Sequence, residues 1–428
     1  MSSTPPESLA HPSTLSEPTG PLAIISRVGQ GRLRLALFIV GFGTIFANTA
    51  LNNVLLAAKL AILAPEQKVA LLGLATAIAG LLSGISIFVW GTVSDRVRSR
   101  FGKRSPLIVL GGIGAAVFIA LVGFAPNVDL LIAAYVGYNI FLPALSAAVL
   151  AVFPDRVPRE KRGTASAFYG GAQVLAGAVA GIVAANFISA PDLLLVTTSI
   201  GILVPAIAFV LIAPDFSNRH EPIEKLTARE VLTAFKLPQG APDFYWAFTG
   251  RFVIFLGASM IVAFQLYILT DHYHLANESA GHIIAVAGIA TLLTIVISTV
   301  IAGPLSDKIG RRKMPIFIAS LILTVAPASL LLIPSGDAVI AYGALYGLGT
   351  GMFLSVDAAL MTEVLPDQLS RGKDLGFLNL ANYVPNVIGP LVTSLLVSTG
   401  LGYTPIFVIS IGLTLIGAFS IFKIKGVR

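Results

Sequence analysis

The sequence predicts an all-α integral membrane protein: twelve transmembrane helices in two six-helix halves, with both termini in the cytoplasm. Three observations carry that prediction. Of 428 residues, 56% are hydrophobic and only 11% charged, against roughly 45–50% and about 25% in a soluble domain. From Leu35 onward, apolar runs recur between short polar connections, each near the roughly 20 helical residues that cross about 30 Å of hydrocarbon. Lys and Arg fall almost wholly in alternate connections, as they do when basic loops are retained on the cytoplasmic side.

Taken in order, residues 1–33 are rich in Ser, Pro and Thr and read as a disordered cytoplasmic tail without the apolar core of a signal peptide. The N-terminal half, 34–213, holds spans at 35–62, 69–91, 107–125, 128–152, 164–188 and 192–213. Residues 214–245 are the one long polar connection, a cytoplasmic linker with an amphipathic helix expected at 226–236. The C-terminal half, 246–428, holds spans at 246–270, 279–303, 315–334, 337–362, 374–398 and 401–422.

The charge asymmetry is nearly complete. Arg96, Arg98, Arg100, Lys103 and Arg104 follow span two, and Arg156, Arg159, Lys161 and Arg162 follow span four. Lys308, Arg311, Arg312 and Lys313 follow span eight. The opposite connections offer Lys68, with Lys59 near the end of span one. The net charge of +7 is therefore topology and lipid-headgroup contact rather than a nucleic-acid surface. The absence of cysteine removes disulfides, thiolate metal sites and cysteine nucleophiles. His272, His274 and His282 lie near one end but lack the convergent ligands of a metal site. No catalytic triad or nucleotide-binding loop occurs, so neither an enzyme nor a cofactor is expected, and energy must come from a gradient or a partner. The expected partners are a small-molecule substrate, protons and membrane lipid, around a monomer in the plasma (inner) membrane.

The chain also repeats itself. Gly91-Thr-Val-Ser94-Asp95 returns 212 positions later as Gly303-Pro-Leu-Ser306-Asp307, and Phe153-Pro154-Asp155 returns at the same offset as Leu365-Pro366-Asp367. Equal offsets at two places point to duplication of a six-span unit, and two parallel six-span halves around a central path are a transporter plan. The loop Gly91-x-x-Ser94-Asp95-Arg96-x-Arg98-x-Arg100-Phe101-Gly102-Lys103-Arg104, echoed by Gly303-x-x-Ser306-Asp307-Lys308-Ile309-Gly310-Arg311, resembles the signature loop of the major facilitator superfamily. The resemblance implies gate roles for Gly91, Asp95, Arg96, Arg104, Gly303, Asp307 and Arg311. The glycines would let helices approach closely, and the two aspartates would latch the halves at the cytoplasmic end. The long first loop, with Arg371-Gly372-Lys373-Asp374 opening span eleven, is similar to the glycoside-pentoside-hexuronide and sucrose/proton symporters. Span two contains no acid, whereas the sodium-coupled glycoside symporters use acids there; protons are the expected coupling ion.

Polar groups at membrane depth are costly and face the protein interior or a wet cavity. Asp357 is the most deeply placed acid, nine residues before Pro366 and so roughly 13 Å from the loop at 1.5 Å per residue. Arg251 on span seven lies at similar depth and is its expected partner, with Glu363 the next candidate for coupling. Burial favours a neutral acid and a cation a charged one, so a partner that comes and goes can turn proton binding into a change of state. Spans one, four, seven and ten line the cavity in the superfamily. On that resemblance, with span eleven added, Asn48, Asn52, Tyr135, Tyr138, Asn139, Gln265, Tyr267, Tyr346 and Asn382 are the candidate substrate ligands. Amides and aromatic rings suit the hydroxyls and faces of a sugar. The competing reading is a proton-coupled exporter of a drug or apolar metabolite, against which span five lacks the proline that such exporters carry in a Gly-Pro motif.

Overall fold

The computed structural model describes residues 29–220, 241–310, 312–363 and 371–425. Twelve of its helices are long and apolar enough to cross a membrane. The first half comprises α1 (Gln30–Leu63), α2 (Lys68–Arg96), α3 (Ser105–Phe124), α4 (Val128–Arg156), α5 (Arg162–Ala185) and α6 (Pro191–Ile212). The second comprises α7 (Pro242–Val262), α8 (Asn277–Ile309), α9 (Lys313–Leu332), α10 (Asp337–Glu363), α11 (Arg371–Leu396) and α12 (Thr404–Ser420). Residues 30–33, expected in a disordered tail, instead open α1, where Leu33 is buried. Residues 242–245, expected in the linker, open α7. Positions 1–28 and 221–240, with the helix expected at 226–236, lie outside the described residues.

Two helix ends are set by capping rather than by hydropathy. The Asn127 side chain accepts from the Leu130 amide to start α4, and α8 runs past its apolar stretch to stop on Gly310 at φ 64°. The single span expected at 246–270 is broken. After α7 the chain turns at Ala263 and Phe264, forms a short helical turn at Gln265–Tyr267 and widens into a π turn at Ile268–His272. A second π turn, Leu51–Leu55, lies inside α1.

The halves repeat each other in packing as well as in order. In the first, α1 packs on α5 and α6, α4 on α2 and α3, and α3 on α6. In the second, α7 packs on α11 and α12, α10 on α8 and α9, and α9 on α12. Those are the same neighbours six helices on. The two most extensive contacts between the halves are α2 with α11 and α5 with α8, and they exchange under the same operation.

Glycines on α2 show how the halves meet. Gly73, Gly80, Gly84 and Gly91 fall within about 20° of one line along the helix at 100° per residue. A Cβ at Gly73 would fall on Ser394 Oγ, and one at Gly80 would stand 2.7 Å from Val387 Cγ2, both on α11. At Gly84 and Gly91 it would meet nothing within 4 Å. The helices touch at the end away from the basic loops and part toward them. On α8, a Cβ at Gly281 would stand 2.5 Å from the Ala185 carbonyl of α5, again at the end away from the basic loops.

Cysteines introduced together as Ser189→Cys and Asn277→Cys, which line one cleft between the halves at this end, should therefore crosslink under oxidation in this conformation and hold the halves together. Oxidised protein is expected to lose turnover and regain it on reduction. Transport at the normal rate by fully crosslinked protein would show that the halves need not part here.

Candidate functional site

Between the halves lies a cavity of about 470 Å³, within the range of small-molecule sites. Helices α1, α2 and α4 supply its wall on one side, and α7 and α11 on the other. The described lining residues are amides, hydroxyls, tyrosines and apolar groups, with no charged side chain among them.

On the first half, the amides are held by one another and by phenols. Asn52 Nδ2 donates to the Asn48 carbonyl at 2.8 Å and to Asn48 Oδ1 at 2.9 Å. Tyr135 Oη donates to Asn52 Oδ1 at 2.5 Å, and Tyr138 Oη to Asn48 Oδ1 at 3.4 Å. The π turn places Asn52 and Asn53 together on the cavity wall, although successive residues of a regular helix diverge by about 100°. π turns of this kind concentrate at functional sites.

Two matched units face the cavity from opposite halves: Asn139-x-x-x-Pro143 on α4 and Asn386-x-x-x-Pro390 on α11. Each Asn Nδ2 donates to the carbonyl four residues back, at 2.9 Å to Tyr135 and 2.7 Å to Asn382. Each proline lacks the N–H that would normally bond the asparagine's own carbonyl. Such freed carbonyls are tolerated at membrane depth where they line a wet cavity, and both asparagines line this one.

Beside this cavity an ion pair is buried in the second half. Arg251 Nη1 lies 2.8 Å from Asp357 Oδ2, with the Arg251 and Asp357 side chains 10% and 3% exposed. Arg251 Nε donates to Asn382 Oδ1 at 2.7 Å. Asn382, expected as a substrate ligand, thus holds the arginine, one helical turn from the cavity-lining Asn386.

At the basic end Arg104 is a hub, 5% exposed. It bonds Asp155 at 2.7 Å through Nε, and Asp95 at 3.0 Å and Ser94 Oγ at 2.6 Å through Nη1. Its backbone amide donates to Asp215 at 3.0 Å, stapling the start of the linker to this loop. The resemblance implied that Asp95 reaches the other half. In this conformation its partners are Arg104 and Lys103 of its own half, because the halves diverge at this end. Gly91, expected at a close helix approach, has open space beside it, and Gly303 has Ser355 no nearer than 3.9 Å, on its own half. Arg96 closes α2. The Asp307 side chain and Arg311 lie outside the described residues; Arg312 is the arginine that bonds Ser306 Oγ, at 3.1 Å. Arg104 and Arg312 start α3 and α9 with matching backbone angles, φ −100° and −98°.

The remaining expected ligands fall elsewhere. Asn48, Asn52, Tyr135 and Asn139 meet at the cavity, while Tyr138 is fully buried behind them. Gln265 and Tyr267 sit past the break in span seven, and Tyr267 is buried where the halves touch. Tyr346 stacks on Tyr342 at 5.7 Å within the second half. The Glu363 side chain lies outside the described residues. Thr76, Ser83, Ser146 and Ser259 line the cavity without having been expected. Single hydroxyls on helices carry no signal that separates a cavity wall from a helix contact.

The Major Facilitator Superfamily family model matches residues 33–292 and 247–426. The chain belongs to that superfamily. Multidrug resistance protein MdtG of Proteus mirabilis (strain HI4320) is 26% identical over 354 residues, 78% of this chain and 81% of that protein. Multidrug resistance protein D of Escherichia coli (strain K12) is 32% identical over 129 residues, 28% of this chain and 30% of its own length. A peptide transporter POT in complex with sulfate overlays with a TM-score of 0.76 at 12% identity, covering 95% of this chain and 99% of that one. A bacterial homolog to the human lysosomal transporter Spinster gives 0.62 at 16%, covering 92% and 94%; at such identities the likeness is one of fold. The protein is a multi-pass integral membrane transporter and not an enzyme.

Breaking the buried pair from one side should be costly. Arg251→Met leaves Asp357 without its cation and is expected to lower stability by about 3–5 kcal/mol, while Arg251→Met with Asp357→Asn recovers most of the loss. Thermal unfolding in detergent checks this; equal melting of the single and double variants would mean that the pair is not what holds α7 to α10.

Proposed function

We propose that this superfamily member is a secondary active transporter of a small neutral polar solute, a sugar or glycoside, driven by protons. The uncharged cavity, walled from both halves by amides, hydroxyls and tyrosines, carries this reading. Hydroxyl groups donate to the asparagine and freed backbone acceptors, and Tyr135 and Tyr383 offer ring faces to a pyranose. A fixed countercharge for an anionic or phosphorylated solute is absent from the described lining. With the basic end in the cytoplasm of the plasma (inner) membrane, the parted end faces inward and the touching end outward, and rocking of the halves exchanges them.

Coupling is assigned to Asp357. Protonation removes the charge that holds Arg251, freeing α7 and α10 to rearrange, and deprotonation restores the pair. The second reading, export of a drug or apolar metabolite, is favoured by the names of the two multidrug resistance relatives. A cavity wall dense in amides and hydroxyls suits an apolar cargo less well, since each unmatched polar group is left without its water.

Uptake of labelled methyl glucosides and disaccharides into proteoliposomes, run beside ethidium efflux, separates the two readings. Sugar accumulation that follows an imposed pH gradient supports the first, and ethidium extrusion without sugar uptake overturns it. Asp357→Asn is expected to abolish accumulation driven by the gradient while leaving sugar exchange across the membrane intact. If the variant still concentrates sugar, the proton site lies elsewhere.

A further inference from the structure

At the end where the halves touch, one charged contact crosses between them. Lys68, the first residue of α2, places Nζ 2.6 Å from Asp271 Oδ1, in the π turn after α7. Their side chains are 20% and 29% exposed, so the pair is shielded more than a surface ion pair. Among the described residues it is the salt bridge that joins the halves; the others lie within one half.

The aspartate is fixed from its other sides. Thr270 Oγ1 lies 2.9 Å from Oδ1, and Tyr403 Oη donates to Oδ2 at 3.2 Å. Burial and the neighbouring carboxylate push the Tyr403 hydroxyl up, so it remains a donor. Lys68 also stands 4.9 Å from the centre of the Tyr267 ring, within cation–π range. Tyr267 Oη donates across the interface to the Ala57 carbonyl at 2.8 Å. That carbonyl precedes the outer end of α1, so the phenol seals the same seam.

We propose that Lys68 and Asp271 form the latch that keeps the outer end closed, with Tyr403 and Tyr267 holding the two charges in register. Opening that end separates α2 from the α7 extension. The pair must break, and both charges must be rehydrated. Helix α2 then carries a contact at each of its ends: Lys68 engaged across the interface now, and Asp95 at the far end engaged within its own half. Rocking of the halves exchanges which end of this helix is tied down. The latch concerns the conformational equilibrium alone and stands whatever the cargo.

The chain has no cysteine, so Ser83→Cys in the cavity provides a reporter, labelled with a membrane-impermeant maleimide from the outer face of vesicles. The parent reporter should label slowly from that side. Adding Lys68→Gln or Asp271→Asn is expected to raise the rate about tenfold, the effect of losing roughly 1.4 kcal/mol of closure. Tyr403→Phe, which keeps both charges, should raise it about threefold. The reversed pair, Lys68→Asp with Asp271→Lys, should return it to the parent rate. Unchanged labelling in the single variants overturns the latch, and so does failure of the reversed pair to restore closure while gel filtration shows it folded. Should the charge variants not fold, the Tyr403→Phe rate decides the matter alone.

Discussion

A bilayer offers no partner to a polar group, and that constraint orders this molecule. Each charge or amide at membrane depth has to be met by another protein group or by a wet cavity. Arg251 and Asp357 meet each other inside the second half, with Asn382 on the remaining guanidinium edge. Asn48 and Asn52 meet each other and the phenols of α4. The lining groups that keep free valences stand along the 470 Å³ cavity. The location of the cavity and of the polar side chains is thus a single fact.

The second organising feature is the two-fold repetition of packing. Because α1–α6 and α7–α12 have the same internal neighbours, each half is a body that can move without repacking its interior. The motion is left to the seams between α2 and α11 and between α5 and α8. Small residues on α2 allow the close approach at one end, where Gly73 meets Ser394, and leave a gap at the other, beside Gly84 and Gly91. Dispersion contacts at such a seam are non-directional, whereas Lys68 with Asp271 is a pair of specific atoms, which is why the charged contact rather than the glycine face suits a switch.

The basic loop shows that a geometry repeated in both halves need not mean one partner set. Arg104 ties Ser94, Asp95, Asp155 and the start of the linker into one knot, and Arg312 repeats the bond to Ser306. The knot ties the basic end of the first half together where the halves are apart. Asp95 is its most exposed member, at 64% of its side chain.

Span number, the half-repeat and the pairing of Arg251 with Asp357 were legible in the sequence, because hydropathy, charge placement and depth along a helix are properties of position in the chain. The asparagines of α1 and α4 were legible for the same reason, standing on spans whose polar residues need an explanation in lipid. The break after Val262 was not legible: apolar residues continue through it, and a π turn changes a helix's phase without changing its hydropathy. The turn at Ala263 and Phe264, just before them, carried Gln265 and Tyr267 away from the cavity. Tyr346 and Asn382 were read as ligands because a polar residue on a span has two destinations, the cavity or a neighbouring helix, and only the rotation of each helix within the bundle decides between them. Lys68 drew attention only as a loop cation; its partner lies 203 residues away, and no local pattern can report a contact that exists only when two separately folded halves come together.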